Sequence, residues 1–380
     1  MENYNCPVKE YCGSCIYLDT PYSKQLEIKQ KRIESLLKKF GKVSQIIGME
    51  DPNHYRNKIR IPFSYDEYGN IIYGNYMEES HFIVQNDNCI LADENAYKIV
   101  KSVKRLIEKY HISVFDEQRM SGCIRNLLIR VTNSGEYMLV LVTGTMKIYK
   151  QDLFIRDILK YNPEIKTIIQ NFNNRRTSYT LGPKNTVLYG SGYIVDKLCG
   201  MDFRISASSF YQVNKRQTEV LYRTAIDMAG FKGNEILVDA YCGTGTIGLA
   251  ASKSVKEVLG VELNQSAIKD AIINKKINNV KNINFICDDA GHYMNQLANK
   301  HTHIDAVIMD PPRSGSDIKF MKSMVAMKPE KIIYISCGPD SLAENLKFLN
   351  KYYDVKKIQP VDMFPYTSHC ECICRLDLRR

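Results

Sequence analysis

Two residues near the C-terminus have the types and surroundings for covalent chemistry. Cys337 stands in YISCGP, directly after the apolar run KIIYIS, and Glu371 stands in HCECICRLDL, at the start of another β-rich run. A cysteine thiolate adds to an electron-poor carbon, and a positioned carboxylate takes a proton from a reacting centre. Taken singly, a cysteine after a strand is more often a small buried hydrophobe. The two groups work together only if the fold brings their strands side by side, with the second running antiparallel and so beginning where the first ends.

The elements expected around them have that character. From Ser209 onward strands and helices alternate, which implies parallel strands joined by helical crossovers. Strands are expected at 236–240, 256–261, 282–287, 304–309, 331–335, 353–361 and 371–378, and helices at 214–229, 246–252, 265–278, 317–327 and 339–349. Upstream the pattern is mixed: LEIKQKRIESLLKKF reads as an amphipathic helix, while KIRIPFSY, NLLIRVTN and YMLVLVTG read as strands of an antiparallel sheet. Two domains follow, 1–209 mixed α+β and 210–380 Rossmann-like α/β.

Ligands of an open α/β sheet bind at the carboxyl ends of its strands. The first strand of the second domain runs into VDAYCGTGTIGLA, where Gly243 and Gly245 let the backbone turn tightly against a ligand. With Gly248 they spell G-x-G-x-x-G, and Glu262 follows Gly243 at about the 20-residue interval of an acid that binds ribose hydroxyls. This pattern suits either NAD or S-adenosylmethionine. Asp289, after the third strand, is a candidate for an adenine amino group, or else a solvated acid. The fourth strand ends in Asp310-Pro311-Pro312-Arg313, whose prolines force a rigid extended exit and fix Asp310 at the active edge. Hydride transfer has no need of that exit, and Asp and Arg around the prolines point away from amino-group methylation.

A cysteine and a glutamate beside an adenosyl site match one reaction. Uracil C5 is too poor a nucleophile to take a methyl group unassisted; thiolate addition at C6 makes C5 electron-rich, and a base must later remove the C5 proton so that the thiolate can leave.

A second group of cysteines lies at the N-terminus. Cys6, Cys12 and Cys15 form C-x₅-C-x₂-C, with Cys89 following in NDNCILAD. Four cysteines hold either a [4Fe–4S] cluster or tetrahedral zinc, and spacing leaves both open. The spacing differs from the C-x₃-C-x₂-C of radical S-adenosylmethionine enzymes. Cys370, Cys372 and Cys374 share one strand face by period-two alternation; with His369 they form a candidate metal site, and core packing is the favoured reading.

Composition sets the class. The chain has 380 residues, 44% hydrophobic and 25% charged, which excludes a disordered or collagen-like chain. No apolar run approaches the ~20 residues of a membrane helix, and the first residues lack a signal peptide, so a cytoplasmic monomer without a membrane partner is expected. The formal charge of +10, with 25 Tyr and 13 Phe, favours a polyanion with unpaired bases.

Together CPVKEYCGSC, HYRNKIR, NCILAD, SFYQVN, VDAYCGTGTIGLA, GVELNQSAI, MDPPRSG, YISCGP and FPYTSHCEC resemble the RNA uracil-C5 methyltransferases, the family of bacterial 23S rRNA and tRNA T-loop m5U enzymes. The resemblance spans nearly the whole chain. It implies a class I S-adenosylmethionine-dependent methyltransferase fold, a [4Fe–4S] cluster on Cys6, Cys12, Cys15 and Cys89, and Gln212, Tyr241, Glu262 and Asp310 at the cofactor or target base. It further implies Cys337 as nucleophile, Glu371 as base, and a segment 18–46 that packs on the catalytic domain. Structured RNA is the implied partner, with 23S rRNA favoured over tRNA and Arg56, Lys58, Arg175 and Arg176 as candidate contacts. Gly338 and Thr246 stand where many or some members have Asn.

Overall fold

The computed structural model describes residues 6–380. The chain forms two compact units. One takes residues up to Asp19 with Asn53–Asp196 and Arg204–Ser208; the other takes Thr20–Pro52, Lys197–Phe203 and Ser209–Arg380. The expected boundary near 209 therefore marks only the last of several crossings, and the helix-bearing segment 20–52 lies with the second unit.

Two helices open the chain, α1 (Lys9–Cys12) and α2 (Tyr22–Leu37). The first unit then contains β1 (Lys58–Tyr65), β2 (Ile71–Tyr76), β3 (Ile83–Gln85), α3 (Glu94–Tyr110), β4 (Ile124–Val131), β5 (Tyr137–Thr143), α4 (Gln151–Tyr161), β6 (Ile165–Phe172) and β7 (Lys184–Tyr189). Its seven strands pair in the order β3-β2-β1-β4-β5-β6-β7. All neighbours are antiparallel except β5 and β6. The three strands expected to be antiparallel, β1, β4 and β5, are so; β6 adds a parallel neighbour, which needs a crossover, and α4 supplies it. Asp93 starts α3 by accepting hydrogen bonds from the Asn95 and Ala96 amides, and the helix buries Val100, Val103 and Ile107 in one core with Leu127, Ile129, Leu139 and Leu141 of the sheet.

A two-stranded ribbon of β8 (Ile194–Leu198) and β9 (Met201–Ile205) comes next in the chain, before the long alternating part of the second unit. There the chain alternates α5 (Lys215–Ala229), β10 (Ile236–Ala240), α6 (Thr246–Ala251), β11 (Glu257–Glu262), α7 (Gln265–Ile277), β12 (Ile283–Cys287), α8 (Ala290–Asn299), β13 (Ala306–Met309), α9 (Ile318–Met327), β14 (Lys331–Ser336), α10 (Pro339–Leu349), β15 (Tyr353–Val361) and β16 (Glu371–Leu378). The order β12-β11-β10-β13-β14-β16-β15, with β16 antiparallel to both its neighbours, is the class I methyltransferase sheet. Strand order reverses between β10 and β13, so the ligand crevice opens at their carboxyl ends. Helix α8 was absent from the expected elements. Its buried face is only Ala290, Gly291, Met294 and Leu297, too short a stripe to stand out by periodicity. No helix among the described residues is long and apolar enough to cross a membrane.

Candidate active site

The register of the closing strands decides whether thiol and carboxylate meet. Ser336 of β14 pairs with Cys372 of β16, so the next residues outward, Cys337 and Glu371, stand together at the edge where β14 ends. Cys337 is half-buried, and Glu371 is 2% exposed with its Oε2 lacking a hydrogen-bond partner among the described residues. Burial raises the Cys337 thiol above the usual range, and the carboxylates of Glu371 and Asp310 raise it further, while Arg313 acts in the opposite direction. Glu371 is itself pushed well above a normal carboxyl, first by burial and then by Asp310. Asp310 is raised by burial. The edge is thus short of positive charge, and a cation placed there would favour ionised carboxylates.

Four of the expected cofactor residues line one cleft: Gln212, Tyr241, Gly243 and Asp310, together with Tyr222 and Thr246, whose hydroxyls lie 3.1 Å apart. Tyr241 leaves β10 with φ of 64°, a left-handed conformation that a bulky residue adopts at a cost. Its hydroxyl is 2.8 Å from Ser316 Oγ and its ring is 5.4 Å from that of Phe320, so the side chain is held from the α9 side. Gly248 is required for another reason. A Cβ there would stand 2.5 Å from Asp239 Oδ2, and the glycine lets α6 lie against β10. Asp239 is fully buried, and burial pushes it up to about 8 against the backbone hydrogen bond from Gly248.

Glu262 and Asp289 are not in that cleft lining. Glu262 accepts from the Gly243 and Asn264 amides at 3.2 and 2.8 Å, so it fixes the glycine turn. Asp289 caps α8 by accepting from the His292 amide at 2.9 Å, a structural use that the sequence reading did not foresee. At Gly338, a Cβ would press on the Arg313 carbonyl and Ser341 Oγ, both at 2.7 Å. The glycine thus goes with a close approach of the 313 turn to α10, which Ser341 secures by donating to that carbonyl at 2.9 Å.

The segment 362–370 leads into Glu371, and α2 holds it. Lys29, 2% exposed, donates to Asp362 Oδ1 at 2.7 Å and to the Phe364 carbonyl at 3.0 Å. Tyr22 donates to Asp362 Oδ2 at 3.0 Å, and the Tyr366 amide donates to Gln25 Oε1 at 2.8 Å. From α5, Gln217 and Asn214 donate to the Asp362 and Met363 carbonyls. Ile33 and Leu37 of α2 add to the core formed by Ile358, Leu346 and Tyr353. Sequence reasoning missed Lys29 and Tyr222: a lysine in a charged helix reads as solvated, and a tyrosine on a helix face reads as packing. Lys29→Met leaves Asp362 buried without its cation, and a loss of about 3–5 kcal/mol in unfolding free energy is expected by urea denaturation; a loss below about 1 kcal/mol would show that the pair is dispensable.

In the first unit the four cluster candidates are neighbours. Cys6, Cys12 and Cys89 each raise the Cys15 thiol, which burial chiefly pushes up to about 12, and Arg56 opposes the rise. Cys12 accepts from Asn75 Nδ2 at 3.3 Å. Among the described residues no set of three or more His, Cys, Asp or Glu side chains stands close enough to hold a metal ion. Cys370, Cys372 and Cys374 are buried in the β14–β16 core. Lys58 pairs in register with Arg130, is half-buried, and burial pushes it down to about 8. Arg175 and Arg176 are exposed in the loop after β6.

Residues 183–379 match the pattern of a family described as tRNA (uracil-5-)-methyltransferase. The chain is 39% identical to an uncharacterized RNA methyltransferase of Oceanobacillus iheyensis, over 97% of this chain and 82% of that protein. It is 38% identical to another from Clostridium tetani, over 97% of this chain and 81% of the relative. The crystal structure of Pyrococcus abyssi tRNA (uracil-54, C5)-methyltransferase in complex with S-adenosyl-L-homocysteine superposes with a TM-score of 0.79 at 26% identity, across 94% of this chain and 83% of that one. Hydride transfer, the other use of the glycine pattern, finds no counterpart in these likenesses. The matched region contains the whole sheet β10–β16 with both Cys337 and Glu371, and the chain belongs to the uracil-C5 family of S-adenosylmethionine-dependent RNA methyltransferases.

Proposed function

We propose that the protein methylates C5 of one uridine in structured RNA, with Cys337 as nucleophile and Glu371 as base. The observation that carries this reading is the juxtaposition of Cys337 and Glu371 at one strand edge, with Asp310 raising both groups from the end of the neighbouring strand. S-adenosylmethionine supplies the electrophilic methyl group, and Gln212, Tyr241, Gly243, Glu262, Asp289 and Asp310 are the residues proposed to hold it or the target base. Cys337 as thiolate forms a bond to C6, which moves the ring electrons to C5. After C5 is methylated, Glu371 takes the C5 proton, the C5–C6 double bond re-forms and the C6–S bond breaks. Glu371 must be ionised to act. Its raised affinity for a proton falls when a cation occupies the cleft, so base and cofactor are electrostatically linked.

The motif variants favour a 23S rRNA uridine. The likeness to the P. abyssi tRNA (uracil-54, C5)-methyltransferase favours a T-loop uridine as second reading. Mass-spectrometric mapping of m5U in rRNA and tRNA from a deletion strain distinguishes them: loss of m5U at one 23S position is expected, loss in tRNA alone selects the second reading, and no loss refutes the function.

Cys6, Cys12, Cys15 and Cys89 are proposed to hold a [4Fe–4S] cluster, for which four thiols are a fitting donor set, although among the described residues no three of them stand at metal-holding distance. The cluster would tie the α1 segment to the loop before α3. Anaerobically purified protein is expected to be brown and to contain about four irons per chain; stoichiometric zinc without iron would refute the assignment.

A further inference from the structure

The first unit contains an aromatic depression that the proposed chemistry does not use. Two adjoining cavities of about 540 Å³ each share His81, Glu117, Gln118 and Arg125, within the size range of small-ligand sites. The walls come from Tyr65 at the end of β1, Phe82 before β3 and Phe115 in the loop before β4. Phe82 is 75% exposed, unusual for a side chain that a core would otherwise claim.

Arg125 forms the floor. It is 6% exposed, and its guanidinium lies 4.5 Å from the Phe115 ring centroid. It donates to the Asn173 and Arg175 carbonyls at 2.8 and 3.1 Å and to Glu117 Oε1 at 3.1 Å. Its Nε is buried with no hydrogen-bond partner among the described residues. The arginine thus holds the loop carrying Arg175 and Arg176 over the depression and positions a carboxylate on its wall. Arg176 lines the second cavity.

We propose that this depression binds an unpaired nucleobase of the RNA substrate outside the reacting uridine, stacked on Phe82, with Glu117 accepting from an exocyclic amino group and Arg176 meeting a flanking phosphate. The inference rests on RNA being the substrate. Bases stack on aromatic and guanidinium planes whatever their identity. A carboxylate accepts hydrogen bonds only, so it favours the edge on which adenine, cytosine or guanine presents an exocyclic amino group over uracil, which presents a carbonyl oxygen there and donates only from its ring N3–H. Arg125 neutralises Glu117 and limits its repulsion of nearby phosphates.

The test uses the full chain and fluorescent single-stranded RNA oligomers of about ten nucleotides, oligoadenylate, oligocytidylate and oligouridylate, the length being of the order of one such site. Wild-type protein is expected to bind the adenylate and cytidylate at least about 5-fold more tightly than the uridylate. Phe82→Ala weakens all three by at least about 5-fold. Glu117→Gln abolishes the preference, because an amide also donates to uracil O4. Phe82 is exposed, so an unchanged melting temperature separates the binding loss from unfolding. Equal binding of the three oligomers by wild type, or wild-type affinity in Phe82→Ala, overturns the pocket. If wild-type enzyme also fails to methylate RNA, the functional reading falls with it; if methylation persists, only the pocket does.

Discussion

Cys337→Ala is expected to abolish covalent RNA capture and to lower methylation on the order of 10⁴-fold or more, the scale on which loss of a covalent nucleophile acts in other enzymes. The thiol is the group proposed to make C5 nucleophilic, and the thiols that flank Glu371, Cys370 and Cys372, are buried in the core. S-adenosylmethionine binding should survive. The cleft residues Tyr241, Gly243 and Asp310 sit at the ends of β10 and β13, whereas Cys337 ends β14. The alanine also removes little packing, because Cys337 is only half-buried. Denaturing gel analysis of labelled RNA, with calorimetry for the cofactor, measures both halves. Substantial turnover by the variant would refute the nucleophile.

Glu371→Gln separates the second half of the reaction from the first. Addition at C6 and methyl transfer proceed, but an amide cannot take the C5 proton at neutral pH, so a denaturation-resistant, methylated protein–RNA adduct accumulates. A second effect follows from the electrostatics. Glu371 is the second-largest cause holding the Cys337 thiol above its usual range, after burial. Removing that negative charge lowers the thiol pKa, so the rising limb of capture rate against pH moves to lower pH in the variant. Asp310 still opposes ionisation and Arg313 still assists it, which limits the shift to part of the total. A variant that turns over normally, or a capture profile displaced to higher pH, would show that Glu371 is not the base beside this thiol.

Much of the second unit was legible because its signals are local. Each of the seven strands expected there was found within a few residues of its expected position, bounded by Gly243 and Gly245, by the Pro311-Pro312 exit and by helices of ordinary length. The class of cofactor site followed from those same strand ends. The pairing of Cys337 with Glu371 was an inference from topology, dependent on β16 running antiparallel beside β14, and the register bears out that geometry.

What local pattern leaves open is which side chains a distant segment covers. Helices α3, α4 and α8 went unplaced because their buried stripes gain meaning only against a sheet, and α4 is what makes β5 and β6 parallel. Lys29 looks like any other solvated lysine until α2 lies on the second unit, where it reaches Asp362 across 333 residues of sequence. That Lys58 is half-buried in register with Arg130 is likewise set by the sheet. Chain-local propensity, glycine and proline punctuation and motif spacing thus determined the strands of the second unit and the candidate reacting groups. Tertiary structure decided which charges are buried, which are raised or lowered by one another, and which helix holds the strand that presents Glu371. Solvation and Coulomb interactions depend on distance in space, and the order of residues along the chain carries that distance only for near neighbours.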